Sequence, residues 1–359
     1  MPLEFVHSPT QQTFDIGSRL TRLLTLLFSL VIVFNTIFAF SVLVNLKSLD
    51  TCMFLSSDCS WSAHIDYIKD KAWSRVNILR SLKFTLDRLT LETINMTFIR
   101  PLLEYGDIIF DNCTAGEKQE LDKIQHEAAR IVTGATKLVS IDKLYSDLNW
   151  QPLSDRRTNH KLIFMFKIKS NISPTYLVNL IPLRPADPRY NLRNSSDIPL
   201  IHCRSTLYYN SLVPSAIRAW NTLDSSFKSA DSIQSFKRLI SNTPKVPHYF
   251  NTGPRRLQVH HTRLRLDCSL LNYDLYRKNI ISLQACLCGD SESVRHFMLF
   301  CPLYTSYRED MFESINLLVP GTAITLDLLL KGNVRFTDPF NSQLFSIVYS
   351  YIDSTKRFI

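Results

Sequence analysis

Between residues 62 and 170 apolar side chains recur at intervals of three and four, a periodicity that restricts this part of the chain to packed helices. In HIDYIKDKAWSRVNILRSLK, the residues Ile65, Ile68, Ala72, Val76, Leu79 and Leu82 share one stripe, and Ser62 stands just ahead as a helix cap. Thr114 and Glu117 form a capping box that opens EKQELDKIQHEAARIVTGA. That helix turns Leu121, Ile124, Ala128 and Ile131 inward, and Gly134 stops it. Between the two, LTLETINMTFIRPLLEYGDIIF runs through Pro101, which lacks an N–H and crowds the preceding turn, so a helix is expected to end or kink near Arg100. Residues 142–149 and 154–170 read as further helices joined by Gln151-Pro152. Residues 171–256 are richer in Pro, Asn and Ser, with short β-like pieces such as Leu200 to Cys203. They read as irregular linking structure with one helix near Ser232 to Ile240. The expected fold class is mainly α, and 359 residues suggest two or three domains at about 150 residues each.

Composition excludes several chemistries. The chain has eight glycines, widely scattered, and no GxGxxG or GxxxxGK[ST] can be written with them. GxSxG and HExxH are missing as well, so nucleotide-dependent, serine-hydrolase and zincin activities have no sequence support and no small-molecule substrate is expected. Apolar residues at 45% and charged residues at 20% are ordinary globular usage.

The formal net charge of +9 is unevenly distributed: residues 151–280 hold 20 Lys and Arg against 7 Asp and no Glu. Such an excess points to a polyanionic partner, nucleic acid or an anionic membrane surface, with a solvated basic face as the alternative. The 154–170 helix carries Arg156, Arg157, His160, Lys161, Lys167 and Lys169 around one cylinder beside Leu162, Phe164 and Phe166. Further on, Arg255, Arg256, His260, His261, Arg263, Arg265, Arg277 and Lys278 are interleaved with Tyr273 and Tyr276. Basic and aromatic side chains in that mixture suit phosphates and unpaired bases.

Leu23 to Leu46 is a run of 24 residues without a charge, flanked by Arg19, Arg22 and Lys47. About 20 apolar residues cross a bilayer, so the run fits a membrane-spanning helix or anchor; Asn35, Thr36 and Asn45 leave a buried helix as the alternative. It is too long for a signal-peptide core of about 7–15 residues.

The most specific chemistry lies in ACLCGDSESVRHFMLFCP, where Cys286, Cys288, His296 and Cys301 follow the pattern CxCx7Hx4C. Three thiolates and one imidazole, with Gly289 allowing a sharp turn, suit tetrahedral zinc. With all four positions filled by protein the ion would be structural. Three buried thiols beside a surface histidine is the bland reading.

Taken in order, SWSAHIDYIKDKAW, FIRPLLEYGDIIFDNC, ELDKIQHEAARIVTGA and LNWQPLSDRR resemble the C-terminal part of non-LTR retrotransposon reverse transcriptases, of the jockey-like LINE type. YNLRNSSD, CRSTLYYNSLVPSAIRAWNTL, RLRLDCSLL, CLCGDSESVRHFMLFCPLY and DSTKRF extend the likeness over about residues 52–359. It implies the thumb and the region beyond it, including a cysteine-histidine knuckle, which help such enzymes hold template RNA and target DNA. It does not imply polymerisation. The family's aromatic-x-Asp-Asp palm motif has no counterpart, since the chain contains no Asp-Asp dipeptide, and no magnesium site is expected.

The expected organisation is a leader over 1–50, a helical thumb-like domain over 51–170, an irregular basic linker over 171–256, and a C-terminal helical region over 257–359 with its knuckle at 286–301. The expected function is that of a catalytically inactive, truncated remnant holding RNA or DNA by non-specific phosphate contacts. The alternative is a single-pass membrane protein with a helical soluble domain that works through protein contacts.

Overall fold

The computed structural model describes residues 53–182, 197–241 and 246–358, and Phe54–Ile359 form one compact unit. The Leu23–Leu46 run lies outside the described residues. No helix among the described residues is long and apolar enough to cross a membrane. The described chain is mainly helical, and its only β pairing is one isolated bridge between Ala285 and Ser291.

The first layer is built from α1 (Ser62–Leu82), α2 (Arg88–Ile94), α3 (Arg100–Glu104), α4 (Asp107–Phe110), α5 (Ala115–Thr133) and α6 (Ile141–Leu148). The two periodic stripes face one another: Ile65, Ile68, Ala72, Val76 and Leu79 of α1 are buried, as are Leu121, Ile124, Ala128 and Ile131 of α5. The capping box closes, with Glu117 N–H donating to Thr114 Oγ1 (3.3 Å) and Thr114 N–H donating to the Glu117 carboxylate (2.8 Å). Ser62, expected to cap α1, is instead its first residue and donates to Glu117 Oε1 (2.7 Å), so the start of α1 is tied to the start of α5. Gly134 ends α5 at φ +74°, and a Cβ there would lie 2.5 Å from Val259. Glycine thus serves both the left-handed turn and a close approach of the C-terminal part of the chain.

Pro101 is accommodated without a break. A π-helical turn, Asn95–Ile99, precedes it, and Arg100 N–H donates back to Asn95 O. The wider turn restarts the hydrogen-bond ladder, so proline falls in the first turn of α3, where no N–H is required.

The helix α7 (Leu153–Lys169) belongs to two cores. Its first half packs on α4, and its second half presents Leu162, Met165, Phe166 and Ile168 to Ala216, Ile217, Trp220 and Phe236. Phe166 and Phe236 stack with ring centroids 4.5 Å apart. This second core corrects the expectation of irregular linking structure. After α8 (Thr175–Val178), the described part holds α9 (Thr206–Asn210), α10 (Leu212–Thr222), α11 (Ser225–Lys228) and α12 (Ile233–Ile240). Ile198, just ahead of the β-like stretch, pairs through both backbone groups with the Asn221 side chain of α10 (3.0 and 2.8 Å), and no strand pairing is present at Leu200 to Cys203.

The third core gathers α13 (Arg255–Arg265), α14 (Asn272–Tyr276), α15 (Thr305–Leu318), α16 (Leu326–Lys331) and α17 (Asp338–Ser354) around Leu264, Phe297, Ile315, Leu329, Phe345 and Val348. It is joined to the first layer by a buried ionic triad. Asp147 of α6 lies 2.8 Å from Arg88 Nη1 and 2.7 Å from Arg265 Nε, and all three side chains are at most 6% exposed. Burial alone would raise the Asp147 carboxyl, but Arg265 and Arg88 hold it down at about 2. Arg265 also lies over the Phe250 ring (3.9 Å) and donates to Leu330 O and His261 Nδ1 (both 3.3 Å). His261 is neutral, pushed down to about 3 by burial and then by Arg265, and its other nitrogen contacts Leu329 O at 2.9 Å as the donor.

Replacing Asp147 leaves two arginines facing each other in the interior. Asp147→Asn is expected to lower stability by about 3–5 kcal/mol, read as a shift in the denaturant midpoint. Because the folded-state pKa is depressed, the native triad contributes fully above the unfolded value of about 4. Its contribution is lost as pH falls from about 4 towards 2. A midpoint moved by less than about 1 kcal/mol would show that the triad is not what joins the two parts.

Candidate metal centre

Residues 284–292 form a tight hairpin. Glu292 N–H donates to Gln284 O (2.9 Å), Cys286 N–H to Asp290 O (2.7 Å) and Gly289 N–H to Cys286 O (2.9 Å). Gly289 sits at φ +99°, in open space, so backbone conformation and not crowding demands glycine there. The hairpin brings Cys286 and Cys288 to the same side, while Leu287 between them is 98% exposed.

The other two ligands come from one helical turn. An α-helix would place residues five apart roughly 140° from each other around its axis. The chain adopts a π-helical turn at His296–Phe300 instead, with Cys301 N–H donating to His296 O (2.8 Å), and the widened turn swings both side chains towards the hairpin. Ser293 Oγ accepts from His296 N–H (3.1 Å) and caps the turn from the hairpin's end.

The four ligand atoms lie within 4.8 Å of one another, close enough to hold a metal ion. Cys286 Sγ is 3.7 Å from Cys301 Sγ, Cys301 Sγ is 4.0 Å from Cys288 Sγ, and Cys288 Sγ is 3.2 Å from His296 Nε2. A tetrahedron with metal–sulfur bonds of about 2.3 Å has edges of roughly 3.8 Å, so the thiol separations fit without rearrangement. His296 Nδ1 lies 3.9 Å from the exposed Asp290 Oδ2, beyond hydrogen-bond distance. Cys286, His296 and Cys301 are buried. Burial pushes the Cys301 thiol up to about 12, and the adjoining Cys286 thiol acts in the same direction, so a cation is what would let these sulfurs ionise together.

Sequence reasoning missed the outer support of this cluster. Glu292 is buried, accepts from Asn272 N–H (2.8 Å), and receives Arg357 Nε and Nη2 at 2.7 and 2.6 Å. Arg357 also donates to Leu270 O (3.1 Å), so the chain's last turn fastens the hairpin to α14. Arg308 of α15 donates to Cys301 O (2.8 Å). The DSTKRF ending carried the only signal, as a basic residue in a motif without an obvious role.

Ten of the lysines and arginines singled out in the sequence differ in their surroundings. Arg156 pairs with Glu104, and Arg157 and Lys161 both pair with Asp111; all three are buried, and burial followed by Arg100 and Arg157 lowers Arg156 to about 9. Arg255 donates to Lys83 O (3.0 Å) and Ile131 O (2.8 Å), Arg263 to Gly134 O (2.8 Å), and Arg265 belongs to the triad. These six all have internal partners, so neither a free phosphate-tracking row nor a wet face describes them. Lys167, Arg256 and Arg277 are exposed and Lys278 is half-buried; Arg256 pairs with Asp353 at the surface.

No family model, curated protein or solved structure matches the chain.

Arg357→Ala keeps every candidate ligand and removes the clamp on Glu292. Affinity for a divalent ion is expected to fall by about tenfold, the lower end of the usual outer-shell effect, measured by chelator competition. Cys288→Ser is expected to abolish binding. An Arg357→Ala protein with unchanged affinity would show that the hairpin holds its own shape.

Proposed function

We propose that the chain is a remnant of a non-LTR retrotransposon reverse transcriptase that binds RNA or DNA, does no polymerase chemistry, and is stiffened at its C-terminal end by structural zinc. The closure of the CxCx7Hx4C residues into one four-ligand set, through the hairpin and the π turn, carries the zinc part of this reading. Zinc fits a borderline-soft, closed set of three thiolates and one imidazole, with no open position for a reacting water. The blocks resembling the thumb, the helical first layer and the basic excess over 151–280 support a nucleic-acid partner. The aromatic-x-Asp-Asp motif that holds magnesium in such enzymes has no counterpart in this sequence. The 24-residue uncharged run favours a second reading, in which the same helical unit is carried on a membrane anchor.

Full-length protein titrated with a fluorescent single-stranded RNA and a DNA duplex is expected to lose orders of magnitude in affinity between about 50 and 200 mM salt. Arg277→Ala combined with Lys278→Ala is expected to weaken binding alike across sequences, flatten the salt dependence by one to two phosphate contacts, and leave metal content unchanged. Folded, metal-loaded protein that binds neither probe at low salt would overturn the reading and favour the membrane alternative.

A further inference from the structure

A cavity of about 210 Å³ opens where the C-terminal ends of α1 and α5 meet α13. It is well away in sequence from the cysteine cluster, and its wall is cationic: Arg80, Lys83, Arg130, Lys137, Arg255 and Arg263 line it. Arg255, Val259 and Arg263 recur every four residues, so one face of α13 forms a side of it. Glu127 is the only carboxylate in the lining. It lies 3.0 Å from Arg80 and 3.9 Å from Arg130, which leaves the other four cations without a carboxylate in the cavity.

Two guanidinium nitrogens here are buried without a hydrogen-bond partner, Arg130 Nε and Arg255 Nη1. Arg255 uses Nε and Nη2 on the terminal carbonyls of α1 and α5, so the group is held rigidly with its third nitrogen unsatisfied. Burial, then the nearby Arg88, lowers Arg255 to about 10, and burial also lowers Arg263. A buried donor without an acceptor is costly, and an anionic oxygen is the acceptor that removes the cost and the charge imbalance together. The volume is below the roughly 300 Å³ of ordinary small-molecule pockets, which suits a phosphate group and not a whole metabolite. At the rim, Phe84 is 75% exposed, and the Lys83 ammonium lies 4.5 Å from its ring centroid.

We propose that this pocket is a single-strand anchor: it takes one backbone phosphate, while the adjoining unpaired base stacks on Phe84. Duplex DNA offers no splayed base to that ring, so the anchor favours single-stranded RNA or DNA. The proposal rests on the nucleic-acid reading above and adds to it where a strand is gripped and which form is preferred.

The test uses full-length protein with a fluorescent oligouridylate and a duplex of equal length, at several salt concentrations. The side chains of Lys83 and Lys137 make no ion pair or hydrogen bond among the described residues, so Lys83→Glu with Lys137→Glu is expected to leave the melting midpoint and metal content unchanged. The same pair is expected to weaken oligouridylate binding at least tenfold and to flatten its salt slope by about two contacts. Phe84→Ala is expected to cost about tenfold on the single strand, with the salt slope and duplex affinity unchanged. Inorganic phosphate at millimolar concentration is expected to compete only weakly. Wild-type affinity in both variants would overturn the anchor while leaving the nucleic-acid reading intact, whereas a wild-type protein that binds neither probe would remove both. Full competition by inorganic phosphate would assign the pocket to a free anion and also overturn the proposal.

Discussion

Arg88, Asp147 and Arg265 meet in the interior as two cations on one carboxylate, and the relation between the first helical layer and the C-terminal core depends on that meeting. Each partner comes from a different part of the chain, and none has water to fall back on. Beside the triad Gln258 accepts from Arg88 N–H (3.3 Å) and donates to three carbonyls at Asn251, Thr252 and Gly253, and His261 bridges Arg265 to α16. Buried ion pairs contribute little net energy over an apolar substitute but penalise every arrangement that separates them. The triad therefore acts on how the two layers fit, while apolar burial supplies the driving force.

The metal centre follows the same logic at smaller scale. Three of its four candidate ligands are buried, and they are held by backbone geometry that is uncommon elsewhere: a glycine at φ +99°, a π turn, and a hairpin of a few residues. Of its supports, Glu292 lies in the seven-residue spacer of the motif, whereas Arg357 and Arg308 lie beyond Cys301. An ion in this position would stiffen the hairpin and, through Arg357, the contact between α14 and the end of the chain.

Much of this was legible in the sequence where the signal is local. The stripe of α1, the capping box of α5, the stop at Gly134 and the convergence of Cys286, Cys288, His296 and Cys301 each depend on residues within a few turns of one another. What stayed hidden depends on distant partners. Arg156, Arg157 and Lys161 look like a wet basic face because Glu104 and Asp111, which neutralise them, lie about fifty residues earlier. Residues 197–241 look like linker because their short helices depend on Leu162, Met165 and Phe166 of α7 for a core. Pro101 reads as a helix stop because nothing in a one-residue rule announces a π turn before it. The basic charge of the described residues consequently divides into an inner set with internal partners and an outer, exposed set.

X-ray absorption at the zinc edge, on full-length protein purified without added metal, tests the central claim most directly. The account predicts one zinc per chain with three sulfurs at about 2.3 Å and one nitrogen at about 2.0–2.1 Å. Folded protein without zinc, or zinc surrounded only by oxygen and nitrogen, would contradict it.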